Sequence, residues 1–271
     1  MKRLLLPARL SFLGQWSDQP NWPHPACVVN ASVGWRHAEP FSPYPLLRTA
    51  EGFSSAVQGV GTGLGISSIR AAADYLYGHA DAFSPDREYI GAALDWERQN
   101  GTLGGWQDQI GAIEPGLKCI STADHKTFCI EQLPSADLFD HLVLFDTGIR
   151  RPAKAIGDKV RGLLTEKRFT ACLKANVSEA RYAHQYDAER FAKTACEGWR
   201  RLCEHVPEME TPIPYLPGTW GTMLMGAGGG GFGVAFLTDP GNALKVRARL
   251  DMAGMATFKP IVLDGIRVED E

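Results

Sequence analysis

The sequence predicts an α+β or α/β fold in two layers, and three observations carry that prediction. Short apolar runs that read as strands are interleaved with longer amphipathic runs that read as helices. The composition, with 44% hydrophobic and 22% charged residues, is ordinary for a globular chain. This excludes collagen-like, disordered and disulfide-scaffold classes. The length of 271 residues lies near the upper limit for a single core, so it fits one large domain or two that share an interface.

Residues 3–13 and 26–34 alternate well enough for strands, and the polar, proline-broken stretch WSDQPNWPHP separates them as a loop. A helix is expected over Ser67–Tyr77, its first turn opening at the serines, and another over Asp86–Asn100, ended by Gly101. Residues 117–132 read as a β-hairpin turning near Ala123-Asp124-His125, and His141–Asp146 as a buried strand. Amphipathic helices follow over roughly Pro152–Leu164 and Ala180–Val206. The last part runs glycine-rich loop, strand (FGVAFL), helix (GNALKVRARLDMAG) and closing strand (FKPIVLDG). A domain boundary is expected at Gln132–Asp137, dividing the chain into 1–135 and 136–271.

The charge balance narrows the function. With 28 Lys+Arg against 31 Asp+Glu the net charge is −3, which gives no field for drawing in nucleic acid or a membrane surface. The first thirteen residues are cut by Pro7 and Arg9, too short for a signal segment. The six cysteines form no CxxC pair and read as reduced thiols of a cytoplasmic protein. Cys196, Cys203 and His205 do not have a recognised zinc spacing.

Glycine is in excess, at 29 residues, and 13 of them fall in three windows. The first holds Gly59, Gly61, Gly63 and Gly65 just before the helix that opens with Ser67 and Ser68. Alternating glycines let successive N–H groups converge beside a helix N-terminus, which suits a phosphate, while a serine hydroxyl reaches Mg²⁺ or caps the helix. A tight packing turn is the alternative. The second window, GTLGGWQDQIGA, sets Asp108 alone between two glutamines, as a general base or as an N-cap of a helix beginning at Gln109. The third, LMGAGGGGFGVAF, holds more consecutive glycines than a structural turn needs. Close approach of backbone to a ligand or to another phosphate-binding loop explains them.

In this order the windows resemble the three motifs of the GHMP kinase superfamily. Residues 7–14 with Trp16-Ser17-Asp18 match the first, residues 61–68 the second, and residues 226–232 the third. Gly104–Gln109 and Asp146–Ile149 before Arg151 add to the match. The GGWQDQ string, the WSD loop and the GLGISSI spacing look most like L-fucokinases, and nearly as much like D-glycero-D-manno-heptose 7-phosphate kinases. The resemblance implies a two-domain α+β fold, an N-terminal ribosomal protein S5-like α/β domain and a ferredoxin-like C-terminal domain with the active site between them. It implies an ATP-dependent kinase that phosphorylates the anomeric hydroxyl of an L-fucose-like sugar. A sugar-phosphate kinase, favoured by Arg150 beside Arg151, and a non-catalytic sugar- or nucleotide-binding relative are the alternatives.

By the same resemblance Asp108 is the base and Arg9 its electrostatic partner. Gly61, Gly63, Leu64, Gly65, Ser67, Ser68, Gly228, Gly229 and Gly230 bind ATP. Ser67 and Glu97 hold Mg²⁺, and Trp16, Asp18, Gly105, Thr147 and Arg151 bind the sugar. Partners are a small-molecule sugar, with no nucleic acid and no membrane, and a homodimer is allowed. From the residues alone, Glu97 also reads as a solvated helical charge, Asp18 as an Asx-turn before Pro20, and Arg151 as a helix-start surface charge. The chain departs from the family at Gln15, where glycine is usual, and at Arg150, where threonine or serine is usual. It also lacks the proline that opens the second motif. Only 42 residues separate Asp18 from Gly61, a segment that usually walls the adenine pocket. His24, His37, Trp22 and Trp35 within it read as substrate-loop or packing residues.

Overall fold

A computed structural model describes residues 2–36, 43–57, 61–78, 88–99, 104–151 and 153–270. Gly59, His37, Gly101 and Pro152 lie outside the described residues.

The single strand expected over residues 3–13 is two, β1 (Lys2–Leu6) and β2 (Ala8–Leu13), which belong to different sheets. Pro7 falls between them, and a residue without an N–H is where a ladder is most easily cut. Strand β3 (Ala26–Trp35) is buried along all ten residues. It pairs with β2 and with β6 (Leu117–Thr122), whose hairpin partner is β7 (Cys129–Gln132). The expected hairpin over 117–132 is present. Between β3 and β6 lie the hairpin β4 (Leu46–Thr49) and β5 (Gly52–Ser55), then helices α1 (Ile66–Gly78), α2 (Glu88–Gln99) and α3 (Gln107–Ile113). Strand β4 pairs with β1, which places the hairpin in the first sheet.

A short helix α4 (Ala136–Asp140) leads into β8 (Leu142–Asp146), then α5 (Ala153–Leu163), α6 (Lys167–Arg181) and α7 (Ala188–His205). The long helix expected from Ala180 starts eight residues later, because Asp187 caps it by accepting from Arg190 N at 2.7 Å. The preceding helix α6 was not expected. Its buried side includes Phe169, Leu173, Val177 and Ala180, a stripe diluted by the polar residues between. Strands β9 (Thr219–Leu224) and β10 (Phe232–Leu237) flank the third glycine window, and α8 (Ala243–Met252) follows. The closing strand is broken into β11 (Ala256–Phe258) and β12 (Pro260–Val262), and β13 (Arg267–Asp270) ends the described chain.

The strand orders are β13-β1-β4-β5, β12-β3-β6-β7 with β2 also on β3, and β11-β8-β10-β9. Strands β12 and β13 therefore cross back over the 135/136 division to pair with β3 and β1. One apolar cluster runs from Leu4 through Phe145 and Phe236 to Leu250, so both halves share a core. Among the described residues the fold is mixed, with helices packed on three antiparallel sheets.

Candidate active site

One cavity of about 420 Å³ opens where the first and second glycine windows face the loop after β2. Its floor is the start of α3. Helix α3 begins at Gln107, so Asp108 lies inside the first turn and is not a cap. Its carboxylate instead bonds to the Arg9 guanidinium, and Arg9, on β2, is buried with a second bond to Gly63 O at 3.3 Å.

Glu97 is not a solvated helical charge. It is buried, accepts from Ser68 Oγ, and accepts from Gln109 Nε2 at 3.2 Å. Burial, with the nearby charge of Asp108, pushes its carboxyl up to about 7, although the Ser68 hydroxyl opposes this. Ser68 Oγ also lies 3.4 Å from Asp108 Oδ2. Thus Ser68, rather than Ser67, meets the acids; Ser67 is exposed at the cavity one position earlier on α1. A hydroxyl beside two carboxylates is a hard-oxygen donor set that fits Mg²⁺. Among the described residues no three His, Cys, Asp or Glu converge on a metal position. A magnesium ion held through phosphate oxygens needs only one or two protein carboxylates.

Asp18 is no Asx-turn residue either. It is buried, and its Oδ1 accepts from Gln107 Nε2 at 2.9 Å while Ser11 Oγ donates to Gln107 Oε1 at 2.6 Å. Burial and the Asp108 charge push Asp18 up to about 7 against the pull of Arg9. Gly105 is required beside it, since a Cβ there would sit 1.9 Å from Asp18 Oδ2.

Gly61, Gly63 and Gly65 line the cavity with positive φ, and a Cβ on Gly65 would crowd the Asp108 carboxylate at 3.0 Å. Their loop delivers the N-terminus of α1 to the cavity, an anion-binding geometry. Arg70 on α1 and Lys154 and Arg161 on α5 add positive charge to the lining, Arg161 in an ion pair with Asp158. Phe53, Ser55 and Val57 form a further wall, so the short segment between Asp18 and Gly61 does contribute to the site. Sequence reasoning missed Ser11, Gln19, Phe53, Arg70, Lys154 and Arg161. Gln107, beside Asp108, was the one visible signal of the network.

Other expected site residues lie off the cavity. Leu64 is fully buried, with its carbonyl accepting from Arg9 N at 3.4 Å. Of the third window only Gly226 and Ala227 reach the lining. A Cβ on Gly228 would strike Trp199, on Gly229 Glu208 O, and on Gly230 Ile149, so these glycines serve close packing. Gly226 and Gly231 pack on Gly63 and on the Gly61 and Thr62 carbonyls, which explains the loop as support for the first window. Thr147 donates to Gly231 O at 2.9 Å and holds the same loop. Arg151 is exposed outside the lining, its backbone packed on Gly61. Arg150 is tied to Asp146 by two bonds of 2.6 and 2.5 Å.

No protein-family model matches the chain. Over 215 residues it is 29% identical to the bifunctional fucokinase/GDP-fucose pyrophosphorylase of Arabidopsis thaliana, a match covering 70% of this chain and 20% of that protein. It is 28% identical over 214 residues to the L-fucokinase/L-fucose-1-P guanylyltransferase of Bacteroides fragilis, covering 69% of this chain and 22% of that one. The chain thus spans about a fifth of the length of these relatives. A crystal structure of a D-glycero-D-manno-heptose 1-phosphate kinase from Bacteroides thetaiotaomicron superposes with a TM-score of 0.69 at 16% identity. That match covers 100% of this chain and 99% of the other. The fold is the GHMP kinase fold.

Proposed function

We propose that this chain is an ATP- and Mg²⁺-dependent sugar kinase that phosphorylates the anomeric hydroxyl of an L-fucose-like sugar. The observation that carries the reading is Asp108, held by Arg9 at the first turn of α3 in a cavity shared with a glycine-framed helix N-terminus. Phosphoryl transfer needs positioning and charge neutralisation more than covalent chemistry. In this reading Asp108 accepts the proton of the sugar hydroxyl through the oxygen that Arg9 does not hold. Arg9 orients that carboxylate and offsets charge near the transferred group. The glycine loop and α1 N-terminus take the phosphates with help from Arg70, Lys154 and Arg161, and Phe53, Ser55 and Val57 offer an apolar wall for a base.

Ser68 and Glu97 hold the magnesium ion, which when bound neutralises phosphate charge. The fucokinase-containing relatives support the sugar, since both names carry that activity. We place the protein in the cytoplasm, where its six free cysteines stay reduced. Among the described residues no helix is long and apolar enough to cross a membrane.

Coupled ADP-release assays over L-fucose, D-galactose, D-mannose and heptose 7-phosphate test the reading. Turnover with L-fucose is expected, and Asp108→Asn should lower kcat by about 10²–10⁴-fold, the usual worth of a general base, with an unchanged circular dichroism spectrum. Absence of turnover with every sugar would overturn it.

A further inference from the structure

The cavity wall after β2 carries polar atoms that the protein leaves unpaired. Gln15 Oε1, Trp16 Nε1 and Gln19 Oε1 have no hydrogen-bond partner, although all three residues are buried and all three line the cavity. Native proteins carry few such atoms because each forfeits its hydration. Three within five consecutive residues need a cause. Trp16 adds strain, since its φ of +71° puts a bulky side chain in the left-handed region. Strain of this kind persists at ligand sites that the surrounding structure over-determines.

The chemistry of the free valences identifies what would satisfy them. Gln15 Nε2 donates to Ser11 O at 2.7 Å, and a carbonyl only accepts, so the amide oxygen is the end left over. The Asp18 carboxyl beside it accepts from Gln107 Nε2 at 2.9 Å and from the backbone N–H groups of Asp18 and Gln107. The unpaired groups of the wall are therefore two acceptors, the oxygens of Gln15 and Gln19, and one donor, the Trp16 indole. A phosphate brings mainly acceptor oxygens, for which this wall has only the Trp16 indole to offer. A hydroxyl donates and accepts, and a ring of hydroxyls matches the set. Gln15 stands where the family resemblance expects glycine, so its amide is this chain's own addition.

We propose that Gln15 and Gln19, with Trp16 and Asp18, form a specificity wall that binds a neutral, polyhydroxylated face of the sugar and excludes phosphate from it. The proposal rests on the kinase reading only in calling that sugar the phosphoryl acceptor. The unpaired atoms are sealed from solvent, so binding turns side chains of the wall, including the Trp16 indole, to meet the hydroxyls.

Equilibrium binding without nucleotide, by calorimetry and tryptophan fluorescence, tests this with L-fucose, D-galactose, D-mannose, heptose 7-phosphate and inorganic phosphate as probes. At least one unphosphorylated sugar is expected to bind with a fluorescence change. Gln15→Met and Gln19→Met should each weaken it about tenfold, as for loss of one buried hydrogen bond, while ATP binding is unmoved. The proposal is overturned if no neutral sugar binds, if the sugar Kd is unchanged in both variants, or if inorganic phosphate displaces the sugar. Should Gln15→Met fail to fold for want of its Ser11 bond, Gln19→Met alone decides. ADP release separates the two readings. Sugar binding that the variants weaken, without turnover, keeps the wall and rejects the kinase. Turnover with a sugar KM that neither variant moves does the reverse.

Discussion

Replacing Asp18 by Asn should make the protein more stable in alkali while weakening its hold on the sugar. Asp18 is buried, and burial with the Asp108 charge lifts its carboxyl from the ordinary 3.8 to about 7. Below pH 3.8 the folded and unfolded chains both hold the proton, and the site costs nothing. Between 3.8 and 7 the unfolded chain releases it first, so stability falls as pH rises, and above 7 the full penalty is present. At about 1.4 kcal/mol per pH unit that penalty is on the order of 4 kcal/mol. Asparagine keeps the shape, and its oxygen still accepts from Gln107, without the charge. Asp18→Asn should therefore gain about 2–4 kcal/mol at pH 8.5 but only about 1 kcal/mol at pH 4.5. For a chain of this size that corresponds to roughly 2–4 °C in Tm per kcal/mol. Urea denaturation of both proteins at the two pH values reads the double difference, in which every titrating group that does not sense Asp18 cancels. A gain of the same size at both pH values, or a loss at 8.5, would refute the argument. Sugar affinity should fall in the same variant, the trade-off expected where function keeps a costly buried charge.

Two further outcomes follow from the same geometry. Ser68→Ala should lower kcat about tenfold and raise the magnesium concentration needed for half-maximal ADP release, whereas Ser67→Ala should do less, because only Ser68 touches Glu97. Equal effects would place the metal elsewhere. Burial pushes Lys118 down to about 7, so the unfolded chain binds the extra proton between pH 7 and 10.5 and wild-type stability should rise across that window. Lys118→Met lacks this rise and should show a larger deficit at pH 9.5 than at pH 7, on the order of 1–3 kcal/mol, by urea denaturation.

Local chemistry was legible in the sequence, and partnership across the chain was not. The glycine windows, the helix after Gly65 and the 117–132 hairpin announce themselves through residues within a few positions of one another. Gly228, Gly229 and Gly230 were misplaced because an excess of glycine marks close approach without saying what approaches; the partners are Trp199, Glu208 and Ile149. Arg150 and Arg151 gave a basic pair in the sequence, but Asp146 four residues earlier binds the first, and the second packs its backbone on Gly61. The cations that do line the cavity, Lys154 and Arg161, sit seven residues apart on one face of α5, a pattern that any solvated helix also shows. Ser68 carried the same residue type as Ser67, and only the direction of α1 distinguishes the serine that meets Glu97.

The position of Asp108 is itself a tertiary property. Helix α3 has seven residues, too few to hold a helix in water unaided, so its placement is set by what grips its ends. At the N-terminal end Asn30 Nδ2 donates to Gln107 O at 3.2 Å, and the preceding Trp106 donates its indole N–H to His125 Nδ1 at 3.2 Å. At the C-terminal end Lys118 Nζ donates to Gly111 O at 2.9 Å and to Gly116 O at 3.1 Å. Ser32 Oγ reaches Gly111 O at 2.9 Å and bonds to Glu114 O. A buried amine at the carbonyl end of a helix is also on the favourable side of its dipole. Asn30, Ser32 and Lys118 all lie on β3 and β6, so the second sheet fixes the helix. Arg9, on β2 of that same sheet, fixes the carboxylate. Base and counter-charge are thus referred to one rigid frame, whereas the glycine loop that faces them is braced from the third sheet's side by Gly226 and Gly231. Because Arg9 also donates to Gly63 O and to Leu64 O, the phosphate cradle and the Asp108–Arg9 pair are held together, and a shift of one relative to the other breaks these bonds.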